Sequence, residues 1–209
     1  MRFFANKYSA FTPGTLVSIE KERWVPQVCQ IAESIVEAMS ATLDNCDGGL
    51  YEGNAGIAYM FYRLATNAAF SDMRSDFLER AVMYAKVSEQ YVKQTSQKDR
   101  ASFLLGQAGV HAVSALIHEA TSHTDVSEKF LYKYAAIADV CKQIDFLTCG
   151  SDEFFVGRAG YLCGALNLNQ KLGKQVTITF KGVYCVLWNT FIYFKQVNDI
   201  GIDHFKNTN

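Results

Sequence analysis

A four-residue motif, Gly-x-Ala-Gly, occurs three times in the chain, and each copy opens an apolar run. The runs read GNAGIAYMFYRLA from Gly53, GQAGVHAVSALIH from Gly106 and GRAGYLCGALNLN from Gly157. The first glycines of successive copies are 53 and 51 residues apart, a spacing that fits two helices and two turns per repeat. The motif therefore predicts a helical repeat protein.

The glycine pairs themselves carry a structural prediction. Glycine is poorly suited to a helix, but its missing side chain allows another part of the chain to approach closely. We expect the pairs to let the turn before each helix pack tightly against its neighbours. The six positions are Gly53, Gly56, Gly106, Gly109, Gly157 and Gly160.

A phosphate-binding loop is the main alternative, since glycine-rich turns that lead into a helix also bind anions. Such a loop needs a lysine followed by Ser or Thr after its last glycine, whereas Gly56 is followed by Ile57 and Ala58. The structural interpretation is therefore favoured.

Two kinds of helix alternate along the repeats. The segments 20–43, 72–94 and 126–146 have apolar residues at three-to-four spacing and one polar face, whereas 55–69 and 109–120 are apolar nearly all round. A helix without a polar face is buried on every side. This alternation is typical of an α/α toroid, so we predict an all-α fold containing about three helix pairs of a partial toroid.

The repeat pattern ends near Gly173. The residues that follow contain no further glycine pair and are rich in β-branched and aromatic side chains, and residues 176–180 alternate as in a short strand. We therefore divide the chain into a repeat domain, residues 1–173, and a divergent apolar tail, residues 174–209.

Composition argues against several classes of partner. The net charge of −1 with scattered Lys and Arg gives no footprint for nucleic acid or for an anionic membrane surface. No apolar stretch reaches the roughly 18 residues of a transmembrane segment, and the first residues lack a signal-peptide core. The six cysteines form no CxxC pair, so we expect reduced thiols and a cytoplasmic protein, with peripheral membrane association left open.

The histidines do not form a metal site by their spacing. His118 and His123 are five residues apart, which places them about 140° around a helix. His111 and His118 share a face, but seven residues of helix separate them by roughly 10 Å, too far for joint ligation. We therefore predict no metal ligands and no catalytic residues among these side chains.

Acidic residues beside the glycine pairs have two interpretations. Glu52, Asp152 and Glu153 lie at equivalent helix ends, where paired carboxylates act as acid and base in glycosidases. Acidic side chains are also expected at helix N-termini for capping and for the helix dipole, which is the favoured interpretation. Cys149 and Cys163 flank the third pair, and buried structural thiols are commoner than nucleophiles.

With these motifs the sequence resembles the lanthionine synthetase C-like (LanC-like) family. The resemblance covers residues 1 to about 173 and is carried by RFFANKY, DGGLYEGNAGIAYMFYRLA, ASFLLGQAGVHAV and CGSDEFFVGRAGYLCGALNLNQKL. It implies a toroid of seven helix pairs around one zinc ion, and zinc-dependent addition of the glutathione thiol to dehydroamino acids in peptides. It also implies that Arg2, in the N-terminal arm, lies near a glutathione pocket.

The chain departs from this family where the zinc ligands should be. The Trp-Cys-His-Gly motif of the family is absent, and no cysteine is followed directly by a histidine. We therefore expect a truncated, non-catalytic form without zinc or another cofactor, with glutathione or modified peptides as partners by resemblance. Three alternatives stay open: an enzyme that works within a complete toroid, a non-enzymatic helical binding or scaffold module, and a carbohydrate-active α/α toroid.

Three helix pairs do not close a ring, so two helices lack a neighbour. These are the helices near 54–68 and 157–172. An exposed flank of roughly 400 Å² forgoes on the order of 10 kcal/mol of hydrophobic free energy. We expect the apolar run Val183–Phe194 to cover one edge, or the chain to self-associate, or a protein partner to bind there.

Overall fold

The fold is given by a computed structural model, which describes residues 19–45, 49–94 and 100–173. These ranges contain helices and connecting loops and no strand, so the prediction of an all-α fold is confirmed. Short 3₁₀ helices lie at Leu43–Asn45 and Ala68–Met73. The α-helices are α1 (Lys21–Ala38), α2 (Asn54–Ala65), α3 (Arg74–Gln94), α4 (Gln107–Ala120), α5 (Thr124–Ala136), α6 (Ala138–Cys141) and α7 (Arg158–Leu172).

The three glycine-led helices α2, α4 and α7 lie side by side, with α4 in the middle. Helix α3 packs on α2 and α4, and α5 packs on α4. Nearly every residue of α4 is buried, as predicted. Helix α2 differs from the prediction because it has an exposed side at Arg63, with half-buried Ile57 and Met60 beside it.

Aromatic side chains form the core between the first three helices. Phe61 of α2 lies against Phe77 and Tyr84 of α3, with ring centroids 5.8 and 6.0 Å apart. Trp24 of α1 meets Phe70 edge to face at 5.6 Å. These contacts hold α1 on the outside of the α2–α3 hairpin, because burial of large rings contributes most of the packing energy in such a core.

The predicted helix 126–146 is divided in the structure. It appears as α5 and the short α6, which ends at Cys141. Beyond this point the backbone carbonyls of Cys141, Gln143 and Ile144 accept hydrogen bonds from the Arg158 side chain. These carbonyls are the ones that would continue the helix, so the distant arginine competes with it.

The second glycine of each motif marks a close backbone approach. A Cβ at Gly56, Gly109 or Gly160 would lie under 3.0 Å from the carbonyl oxygen six residues earlier in the chain. The first glycines precede their helices with extended backbone, which any residue adopts. Of these, Gly157 also marks a close approach, because a Cβ there would lie 2.5 Å from the Ser151 carbonyl oxygen. The space of the missing side chain is therefore occupied by the chain itself.

Several predictions fall on parts of the chain that the structure does not describe. They concern Arg2, the strand at 176–180 and the run Val183–Phe194. The division at Gly173 also stays a prediction. Among the described helices, none combines the length and apolar character needed to cross a membrane.

Candidate functional site

The loops that precede the glycine-led helices lie next to one another at one end of the molecule. We call residues 49–53, 102–106 and 151–157 the lead-in loops. The N–H groups of Leu50 and Tyr51 donate to the Leu104 carbonyl at 2.7 and 2.9 Å. The Leu104 N–H in turn donates to the Phe155 carbonyl at 3.3 Å. The first loop is thus bonded through its backbone to the second, and the second to the third.

Large apolar side chains are exposed on these lead-in loops. Tyr51 is 67% exposed, and Leu105, Phe154 and Phe155 are each about half exposed. Glu52 is also exposed. Exposed apolar groups that cluster on neighbouring loops are typical of a binding surface. We call these four apolar residues the lead-in surface.

Arg158 organises the third lead-in loop. It occupies the variable position of the third motif and is only 1% exposed. Its Nε donates to the Cys141 carbonyl at 2.7 Å, and its terminal nitrogens reach the carbonyls of Gln143 and Ile144 and the Asp152 carboxylate. The guanidinium also lies 5.2 Å from the Phe146 ring centroid. A buried charge with this many partners anchors the connection between α6 and α7.

The sequence reasoning missed this role of Arg158. The available signal was the charge of Arg158 itself, in the first turn of a helix whose neighbouring residues are apolar. Asn54 occupies the same position in the first motif and is fully buried, with its amide nitrogen 3.4 Å from the Thr42 carbonyl. The variable motif position therefore binds the preceding loop in at least two repeats.

The acidic residues of the third loop make structural contacts. Asp152 pairs with Arg158, and Glu153 accepts a hydrogen bond from the Val156 N–H at 2.8 Å. Glu52 lies in the first lead-in loop, with the second loop between it and the third. These contacts favour a structural role over an acid–base pair, but they are not helix caps, because no side chain caps the N-terminus of α7.

Two of the three described histidines, His111 and His118, pack against Phe130 of α5. His118 stacks on this ring at 5.6 Å, and its Nε2 lies 3.5 Å from Glu89 Oε1 of α3. His111 lies on the same ring at 5.9 Å. Burial, together with the positive charge of Lys133, lowers the pKa of His111 to about 4. His111 is therefore neutral in the folded protein at neutral pH.

The described cysteines are separate from one another. Burial raises the pKa of Cys141 to about 12, so its thiol is protonated and unreactive. Cys29 Sγ lies 3.9 Å from Met73 Sδ. Cys149 and Cys163 are exposed, so the expectation of buried thiols at these two positions is wrong. Across the described ranges no three His, Cys, Asp or Glu side chains converge as metal ligands. The described residues therefore do not fit the zinc ion that the resemblance implies.

Helices α5 and α7 are joined by a reciprocal tyrosine pair. The Tyr161 hydroxyl donates to the Tyr134 carbonyl at 3.0 Å, and the Tyr134 hydroxyl donates to the Tyr161 carbonyl. The rings stack with centroids 4.8 Å apart, and burial raises the pKa of both phenols. A Cβ at Gly164 would overlap the Tyr134 hydroxyl and the Phe103 ring. The pair is a packing element and holds the third repeat to the second.

Comparison with known families agrees with this arrangement of repeats. A family model described as lanthionine synthetase C-like protein matches residues 44–186, about two thirds of the chain. The match begins after α1, includes all three glycine motifs and continues beyond the end of α7. The chain belongs to the lanthionine synthetase C-like family.

Proposed function

We propose that this LanC-like chain acts by binding and does not itself perform the zinc-dependent thiol addition of its family. The observation that carries the proposal is the separation of its reactive groups. The backbone carbonyl of Cys141 accepts a hydrogen bond from Arg158, and the Cys141 thiol is protonated. His118 faces Glu89, on another helix. A metal that deprotonates a bound thiol needs several ligands on one centre.

The lead-in surface is the proposed binding site. It presents Tyr51, Leu105, Phe154 and Phe155 on loops that are held in register by backbone hydrogen bonds. A fixed set of exposed rings suits an extended peptide with apolar side chains, because rigid aromatic groups lose little entropy on binding. Family resemblance supports a peptide containing dehydroamino acids as the ligand, with glutathione as a second candidate.

Within the family, the stretch CGSDEFFVGRAGYLCGALNLNQKL resembles the third animal member. We propose membership of that subgroup on this stretch. A cytoplasmic location is proposed on the reduced-thiol interpretation of the cysteines alone.

Peptide binding to the lead-in surface tests the proposal. A dehydroalanine peptide with apolar flanks is titrated against the full chain, and the alanine version of the peptide shows whether the modified residue matters. We expect Y51S or F155S to weaken binding by about tenfold, the loss typical of a central aromatic contact.

The matched control is Y132S. Tyr132 is 79% exposed on α5 and lies outside the lead-in loops, so its replacement should leave the affinity unchanged. Equal affinities of the parent, Y51S and F155S would reject this surface as the site. Elemental analysis of the dialysed chain tests the other half of the proposal, and about one zinc per chain would contradict it.

A further inference from the structure

One side of α7 is exposed at positions that are buried in α4. With the repeat spacing of 51 residues, Cys163 of α7 is equivalent to Ala112 of α4, and Leu166 is equivalent to Ala115. Ala112 and Ala115 are 3% and 0% exposed, whereas Leu166 is 70% exposed and Cys163 is also exposed. We call Ala159, Leu162, Cys163 and Leu166 the open stripe of α7.

The helix that follows α4 in the chain covers the equivalent part of α4. Ser127 of α5 donates from its hydroxyl to the Ala115 carbonyl at 2.9 Å, and both residues are fully buried. Helix α3 likewise packs on α2, the helix before it. In the two preceding repeats, therefore, each glycine-led helix is covered by the next segment of the chain.

A second feature at the same edge is also incomplete. Tyr51 and Leu104 occupy equivalent positions, and the N–H of each donates to the next lead-in loop. Phe155 is the third member of this series. Within the described ranges its N–H has no hydrogen-bond acceptor, and its ring is 49% exposed. The backbone ladder and the helix packing thus stop at the same edge.

The chain after α7 has the length and composition to cover this edge. Helix α7 ends at Leu172, and the left-handed backbone of the next residue, Gly173 (φ 60°), turns the chain out of the helix. Nine residues, 174–182, then separate it from the apolar run Val183–Phe194. Nine residues span up to roughly 30 Å, more than the roughly 22 Å length of α7. The family match also continues to residue 186, inside this run.

We propose that Val183–Phe194 packs on the open stripe of α7, as α5 packs on α4. The segment covers Cys163 and Leu166 and brings Cys185 to the same side of the molecule as Cys163. The edge is closed within one chain, without a second copy or an external partner.

Thiol labelling of the full chain tests this proposal. The labelling rates of Cys163 and Cys149 are measured by peptide mapping, and each rate is divided by its value in denaturant to remove intrinsic reactivity. We expect the corrected rate of Cys163 to be at least about tenfold below that of Cys149, which lies in a loop outside the stripe. Equal corrected rates would overturn the proposal.

A short bis-maleimide provides a second measurement that needs no substitution. The expected product is a link between Cys163 and Cys185 within one chain. If the link forms only between chains, or if protection of Cys163 disappears on dilution while light scattering reports a dimer, a second copy covers the stripe and the proposal is wrong.

The L187D variant tests whether the run itself gives the protection. It should raise the labelling rate of Cys163 by about tenfold and leave Cys149 unchanged, whereas N198D, outside the run, should change neither rate. Circular dichroism shows whether L187D is folded, and the cross-link in the unmodified chain decides the question if it is not. Protection that survives in folded L187D, without the cross-link, would contradict the proposal.

Discussion

Replacing Gly160 by alanine tests the interpretation of the glycine motifs. Alanine is favoured over glycine in a helix by up to about 1 kcal/mol, so helix propensity alone predicts a more stable protein. The structure predicts the opposite, because the added Cβ would overlap the Phe154 carbonyl oxygen and lie 3.4 Å from the Phe103 Cβ. Neither atom belongs to the end of a flexible side chain.

The expected size follows from these two contributions. Insertion of a methyl group into a packed site costs about 1–3 kcal/mol, and the gain in helix propensity offsets up to about 1 kcal/mol. Because the overlap is with a backbone atom, the cost lies near the upper end of this range, and we expect G160A to lower the free energy of unfolding by about 2 kcal/mol. Q170A, at an exposed position of the same helix, should lie within about 0.5 kcal/mol of the parent.

Urea unfolding followed by circular dichroism measures both variants against the parent. The comparison requires equal m-values, so that a change in midpoint reports stability alone. A G160A protein as stable as Q170A, or more stable than the parent, would refute the close-approach interpretation. Unchanged stability on addition of phosphate is expected as well, since a bound anion would raise the midpoint by mass action.

Three further outcomes are expected from urea unfolding of single variants. R158K should lose about 3 kcal/mol because lysine cannot satisfy the three carbonyls and the carboxylate together, whereas R63K, at an exposed site, should change stability by under about 0.5 kcal/mol. Y161F should lose about 1 kcal/mol with its hydroxyl hydrogen bond, and no loss would mean that the bond contributes nothing. H111Q should reduce the acid sensitivity of folding. The folded-state pKa of His111 is about 4, below the unfolded value of about 6.5. The contribution of neutral His111 to the free energy of unfolding is therefore fully present above pH 6.5, and up to about 3 kcal/mol of it is lost as the pH falls to 4. Identical pH dependence in parent and variant would contradict this pKa.

Much of the helical architecture could be predicted from local sequence. The glycine motifs located the starts of α2, α4 and α7 to within about one residue, because helix starts depend on neighbouring residues and on local periodicity. The end of α6 could not be predicted in this way. It depends on Arg158, a residue more than ten positions further along the chain.

The candidate site was less predictable than the helices. The spacing of the motifs indicated equivalent loops, but it did not show that Tyr51 and Leu104 bond successive loops through their backbones. The pairing of His118 with Glu89 joins two successive helices, α4 and α3, through residues that are far apart in the sequence. Such contacts depend on tertiary packing, to which a periodicity within one segment is not sensitive.

Glutathione addition measures the central claim most directly. The purified full chain, with zinc supplied in the buffer, is incubated with glutathione and a dehydroalanine peptide, and the thioether product is quantified by mass spectrometry. The proposed function predicts the same rate as in the absence of protein, because no described set of side chains holds zinc beside a thiol. A zinc-dependent acceleration that a chelator abolishes would contradict it.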